Sequence, residues 1–394
     1  NDLVASGGTV GLSTTAGTLS AVTDNNDGTY TATLTSSNTV ETATVTGTVD
    51  GSDIDDDVTV EFIAGTASLS LSTVTASPTS ITADGSSTST ITVQLKDDSG
   101  NNLTASGGTV ALRETVGALS AVTDNNDGTY TATLTSSTTV GTATVEAKLN
   151  GSDLEDEATV EFTPGPASLS ESTISANPES ITANGSSTST ITVQLKDAYG
   201  NNLNSSGGTV VLDTDVGLLS GVTDNNDGTY TATLTSSTTA ETATVTGTLD
   251  TNPIVDVAVV AFTPGPASTA TSTITASPTS IAADGSSTST ITVQLKDDGG
   301  NNLTSSGGTV GLSTTAGTLS AVTDNNDGTY TATLTSSTTV ETATVTGTLD
   351  TNPIADNATV DFTVGSASTA TSTITASPTS IAADGSSTST ITVQ

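Results

Sequence analysis

The chain of 394 residues has no cysteine, histidine, methionine or tryptophan. Without cysteine there are no disulfides and no thiolate nucleophile or metal ligand. Without histidine the commonest general base is missing. Bases are scarce as well: 5 lysines and arginines stand against 42 acids, for a net charge of −37. That balance excludes a basic nucleic-acid face and argues against anionic lipid surfaces. It favours solubility and self-repulsion. No apolar run approaches the roughly 18 residues needed to span a bilayer. No window has helical period, so no glycine-rich phosphate loop opens a helix. The acids sit on turns and outward strand positions, with no sign of a pocket, and no enzymatic activity is expected. Asn1 does not open a leader pattern, so any export signal or anchor is expected outside this stretch.

What is present is repetition. TDNNDGTYTATLTSS occurs letter for letter at 23–37, 123–137, 223–237 and 323–337. Pro78, Pro178, Pro278 and Pro378 align at the same period of 100 residues, as do Tyr30, Tyr130, Tyr230 and Tyr330, and Phe62, Phe162, Phe262 and Phe362. That period fits one compact domain and exceeds the roughly 20–45 residues of a solenoid unit. The spacing predicts domains at 66–165, 166–265 and 266–365. Residues 1–65 read as a domain lacking its first strands, and 366–394 as first strands only. Either the chain is a window on a longer repetitive protein, or its last segment completes the first segment of a neighbouring molecule by strand addition.

Within a period the hydrophobic pattern alternates. Ile91, Val93 and Leu95 alternate with Thr92, Gln94 and Lys96. Tyr130, Ala132 and Leu134 alternate with threonine, and Ala143, Val145, Ala147 and Leu149 with polar residues. Ala158, Val160 and Phe162 continue the pattern. Period two marks half-buried strands, and threonine on the outward positions is itself a strand former. The segment 168–181 reads as an edge strand broken at Pro178. Seven or so short strands in about 100 residues predict an all-β fold: tandem immunoglobulin-like β-sandwich domains. Equal joints predict an extended rod. Pro164 and Pro166 stiffen one joint, and Pro264 and Pro266 another.

The repeated loop Asp124-Asn-Asn-Asp-Gly128 reads first as a turn, because Asp and Asn cap turns and glycine accepts positive φ. Its rival is calcium. Asp124, Asn126 and Asp127 offer hard oxygens, although Thr135 stands where an EF-hand needs glutamate. A second acidic cluster, Asp53, Asp55, Asp56 and Asp57, recurs as Asp153, Glu155, Asp156 and Glu157. Asp153 and Asp156 are thus further calcium candidates. Its rival reading is a solvated acidic hairpin, since most of these acids are gone at 251–257 and 351–357. KDDSGNNL at 96–103 reads as a chain reversal. Lys96, Lys196 and Lys296 each follow an inward leucine and are expected to face water, which disfavours an isopeptide staple. Asn102, Asn150 and Asn184 fit the glycosylation acceptor pattern, as chance allows in a chain this rich in Asn, Ser and Thr.

ITVQLKDDSGNNLTASGGTV followed by LSAVTDNNDGTYTATLTSSTTVGTATV resembles the bacterial immunoglobulin-like domain of the invasin and intimin type. DNNDGTYTATLT is also similar to the filamin repeat. The resemblance implies a stalk module of a bacterial surface or secreted adhesin, extracellular, with no cofactor and no catalytic residues. Its expected partners are neighbouring immunoglobulin-like domains of the same or an identical chain. A host or surface receptor would be met through a region outside this stretch, because no cysteine-bearing lectin-like domain is present. Two alternatives stand beside it: a self-assembling fibre subunit, and a module binding glycans or host proteins. Aromatic anchors for the latter are scarce, since only Tyr199 lies outside the repeated framework positions.

Overall fold

A computed structural model describes residues 4–394. All regular structure among them is β-strand. The chain divides into two compact units. One reaches as far as Thr173 and adds Gln194–Gly208 and Asp224–Thr229; the other comprises Ile174–Val193, Thr209–Thr223 and Tyr230–Gln394.

The first unit contains a complete sandwich. One sheet orders Ala118–Leu119, Thr129–Thr135, Thr88–Gln94 and Thr73–Ser77, with Thr123–Asp124 beside Thr129–Thr135. Its register places Ile91 opposite Ala132 and Val93 opposite Tyr130. The second sheet orders Ser80–Thr82, Ser152–Thr163, Gly141–Leu149 and Val110–Glu114. The inward sets from both sheets meet in one core: Val74, Ile91, Val93, Tyr130 and Leu134 face Val110, Val145, Leu149, Val160 and Phe162. Burying a side chain such as Phe162 contributes about 1.5–3 kcal/mol, so the alternation carries the fold once both sheets close. The same unit holds the sheet of Val10–Thr14, Glu41–Val49, Ser52–Asp53 and Val58–Phe62.

The second unit repeats the plan. Ser268–Ser277, Thr288–Lys296, Thr329–Thr335 and Thr318–Leu319 form one sheet; Ser280–Ala282, Asn352–Thr363, Glu341–Leu349 and Val310–Thr314 form the other. Ile274, Ile291, Val293, Tyr330, Val345, Val360 and Phe362 share its core. It also holds the sheet Ser180–Thr182, Ala258–Thr263, Thr242–Leu249 and Val210–Thr214, and the pair Ile374–Ser377 and Thr390–Val393.

The expected break at the repeated proline is real and changes sheet. Before Pro78, Thr73–Ser77 runs antiparallel to Thr88–Gln94; after it, Ser80–Thr82 runs parallel to the last strand, with Ile81 opposite Phe162. The buried Ser89 hydroxyl donates to the Pro78 carbonyl at 2.6 Å, satisfying the bend. The acidic stretch 153–157 lies on the second arm of an antiparallel hairpin, with Asp153, Glu155 and Glu157 exposed. The reversal is confined to Asn150-Gly151, both at positive φ. The acids lie on the twelve-residue strand Ser152–Thr163, whose Leu154 is buried.

The repeated tyrosine ties the loops to this frame. The Tyr130 hydroxyl donates to the Gly108 carbonyl at 2.7 Å and accepts from the Gly107 N–H at 3.1 Å. Tyr330 does the same at Gly308 and Gly307. Its partners lie 22 and 23 residues upstream, farther along the chain than in the immunoglobulin tyrosine corner. Gly128 permits the approach. Its φ is +83°, and a Cβ there would run into the Leu103 carbonyl, while its own carbonyl accepts from the Leu95 N–H at 3.0 Å. Tyr130→Phe should therefore destabilise its domain by about 1–3 kcal/mol, the cost of leaving half-buried backbone groups unpaired. Hydrogen exchange resolved to the Gly141–Leu149 amides checks this; protection equal to wild type would refute it.

Candidate functional site

The chemistry that recurs in step with the period, and links one period to the next, lies in the Lys-Asp-x-x-Gly-Asn turn. Asp97 is only 6 % exposed. Its carboxylate accepts from the N–H groups of Gly65, Ser99 and Asn101, each at 2.9 Å, and from the Asn101 side-chain amide. A buried carboxylate without a cation needs such donors. Gly65 belongs to the segment Phe62–Ser68 that enters the sandwich, so Asp97 fastens that segment to the turn. The Ser68 N–H adds a bond to the Lys96 carbonyl at 2.7 Å.

Asn101 then reaches backward. Its amide donates to the Asn38 carbonyl at 2.9 Å, and its side-chain oxygen accepts from the Val40 N–H at 3.4 Å. The motif recurs with the period. Asn201 donates to Thr138 at 2.9 Å and accepts from Val140 at 3.2 Å, while Asp197 holds the Gly165 N–H at 3.0 Å. Asn301 donates to Thr238 at 3.0 Å and accepts from Ala240 at 2.8 Å, while Asp297 holds Gly265 at 2.9 Å. Each joint is thus an Asp–Asn clamp closing on the preceding loop.

The Asn101 amide first, then the Gly65 N–H, holds the Asp97 carboxyl down to about 2, against an ordinary value of 3.8. At Asp197 and Asp297 burial pushes upward, and the Asn201 or Asn301 amide with the Gly165 or Gly265 N–H outweighs it, so both remain lowered.

One difference between the joints alters a contact between periods. Position 99 is Ser99 in the first joint, Tyr199 in the second and Gly299 in the third. The Tyr199 hydroxyl donates to the Asp84 carbonyl of the preceding period at 2.9 Å. Where Gly299 replaces it, a cleft of about 430 Å³ remains beside Asn184, Thr238 and Pro266.

The calcium candidates are placed as follows. Asp124 accepts from the Asn126 N–H at 2.9 Å, and Asp127 from the Thr129 N–H at 2.9 Å and its hydroxyl at 2.5 Å. Asn126 sits at φ 60°. The Thr129 hydroxyl, then its N–H, keeps the Asp127 carboxyl below the usual range. These side chains fold their own turn. Asp153 pairs with Lys148 at 2.5 Å. Asp156 accepts from the Val74 N–H at 2.8 Å, tying the second sheet to an edge strand of the first. Among the described residues no three acids gather as a metal cluster.

Sequence reasoning missed the clamp and the Asp156 tie. A signal for each was present. Asp and Asn recur at 97 and 101, 197 and 201, and 297 and 301 while the two residues after the Asp vary. Asp156, Asp256 and Asp356 persist where the neighbouring acids are replaced, and the latter two hold the Ile174 and Ile274 N–H groups at 2.9 Å.

Residues 1–65, 68–165, 168–265 and 268–365 each match the family described as invasin, domain 3. The chain belongs to the invasin domain 3 family. Domains of the invasin type are structural or adhesive modules, not catalysts. Among solved structures the chain is similar to FdeC, an Escherichia coli adhesin, at 26% identity and a TM-score of 0.49, covering 77% of this chain and 100% of that one. It is similar to invasin, a bacterial integrin-binding protein, at 27% identity and 0.45, covering 90% and 72%. With InvD of Yersinia pseudotuberculosis the figures are 25% and 0.46, covering 76% and 100%.

Two outcomes follow for the clamp. Asn201→Ala should speed exchange of the Val140 amide while leaving the Ser152–Thr163 strand protected; unchanged Val140 exchange would show that the clamp does not hold the joint. Because the folded pKa of Asp97 lies below its unfolded value, its stabilisation is complete above about pH 4 and drains as pH falls through about 2. An NMR titration of the Gly65 amide should accordingly show a midpoint near 2 and not near 4.

Proposed function

We propose that this chain is a stalk segment of a bacterial surface adhesin, in which repeated sandwiches hold a binding region away from the cell. The observation that carries the reading is the recurrence of one Asp–Asn clamp at three successive joints. A spacer needs many joints of one kind more than it needs any single pocket. Membership of the invasin domain 3 family supports an extracellular place at the bacterial surface. In this reading the described periods supply reach and the receptor is met elsewhere. No helix among the described residues is long and apolar enough to cross a membrane.

The surface suits the task. Outward positions carry threonine and short polar turns, and the charge of −37 keeps parallel stalks soluble. In-frame removal of residues 166–265 in the parent protein should preserve surface display and shorten the reach of a terminal label by one domain. Purified chain that binds host cells as tightly as the whole protein would overturn the spacer reading in favour of a binding module.

A further inference from the structure

The sandwiches 66–165, 166–265 and 266–365 bury the same residue types at every position but three. Val74, Ala147 and Leu154 in the first of them become Ile174, Gly247 and Ile254 in the next, and Ile274, Gly347 and Ile354 in the last. These three positions meet. A methyl placed on Gly247 would lie 2.9 Å from Ile174 Cδ1 and 3.5 Å from Ile254 Cδ1; on Gly347 the distances to Ile274 and Ile354 are 2.9 and 3.3 Å. Ala147 carries that methyl, and Val74 in the same core lacks the Cδ1 that would collide with it. The core variation is thus one compensated exchange of volume between the strand before the proline and the sheet facing it.

The surroundings give this exchange a use. Along the chain, the body 101–165 lies between two leading segments, 66–94 and 166–194, whose buried residues differ only at Val74 and Ile174. The strand that carries the leading strand in its sheet, Thr88–Gln94, recurs letter for letter at 188–194. Backbone pairing therefore does not tell the two segments apart. Tandem domains this alike are prone to exchange elements with their neighbours as they fold.

We propose that the trio is an address, which sends the leading strand Thr73–Ser77 to the body 101–165 and turns other pairings away. Ile174 on that body would press on the Ala147 methyl, an overpacked contact. Val74 on the preceding body would face Gly47, which with Ile54 belongs to the isoleucine class, and would leave a methyl-sized void. Both mismatches favour the same assignment. The sandwiches 166–265 and 266–365 share one class, so the address acts at the borders of 66–165.

Amide exchange of the Gly141–Leu149 strand and refolding of the full chain test this. Val74→Ile alone should lower protection in that strand by about fivefold or more. Val74→Ile with Ala147→Gly and Leu154→Ile, the residues of the next period, should restore it to within about twofold. That restored variant has lost its distinction from its neighbours. On dilution from denaturant, the fraction of its molecules regaining native protection should fall by about twofold or more below wild type. Should it not fold, Ile174→Val with Gly247→Ala and Ile254→Leu, which moves the neighbour into the class of 66–165, serves in its place. Protection unchanged by Val74→Ile, or a wild-type refolding yield from a folded triple variant, overturns the proposal.

Discussion

A buried carboxylate with no cation beside it is the constraint around which each joint is organised. Although Lys96, Lys196 and Lys296 precede them in sequence, Asp97, Asp197 and Asp297 take part in neither of the two ion pairs found among the described residues. Each is instead surrounded by N–H donors, and those donors come from the entering segment and from the asparagine four residues on. The geometry that satisfies the charge is therefore the geometry that fixes where the chain enters the sandwich. The asparagine's remaining hydrogen-bonding capacity is spent on the loop of the preceding period. Folding of a domain and seating of its neighbour share one polar group.

The same economy appears in the sandwich itself. Tyr130 satisfies two backbone groups of a glycine pair, and Asp156 satisfies the N–H of Val74 in the facing sheet. With few aromatics and a core of small aliphatic side chains, hydrogen bonds from fixed side chains supplement packing at the places where strands change sheet or loops cross.

Much of the fold was legible because period-two alternation is a local property. Ile91, Val93 and Leu95, Tyr130 and Leu134, and Ala143 through Leu149 are buried as their spacing demands. The broken edge strand was legible from one proline. What was not legible depends on partners distant along the chain. Asn101 meets Asn38 and Val40 across 63 and 61 residues, and Asp156 meets Val74 across 82. Sequence shows that such residues are polar and recurrent; it does not show what they reach. The acidic stretch 153–157 reads as a solvated hairpin and lies on one, but neither its buried Leu154 nor the reach of Asp156 to Val74 was legible from charge density. Tyr199, set aside as the one aromatic outside the framework, found its role only through the Asp84 carbonyl.

Position 99 of the repeat carries a consequence for the joints. The second joint has a phenol spanning to the previous period, whereas the third has a glycine and an open cleft at the same place. The second joint thus carries one hydrogen bond across periods that the third lacks, so the tie between neighbouring periods is graded by a single side chain.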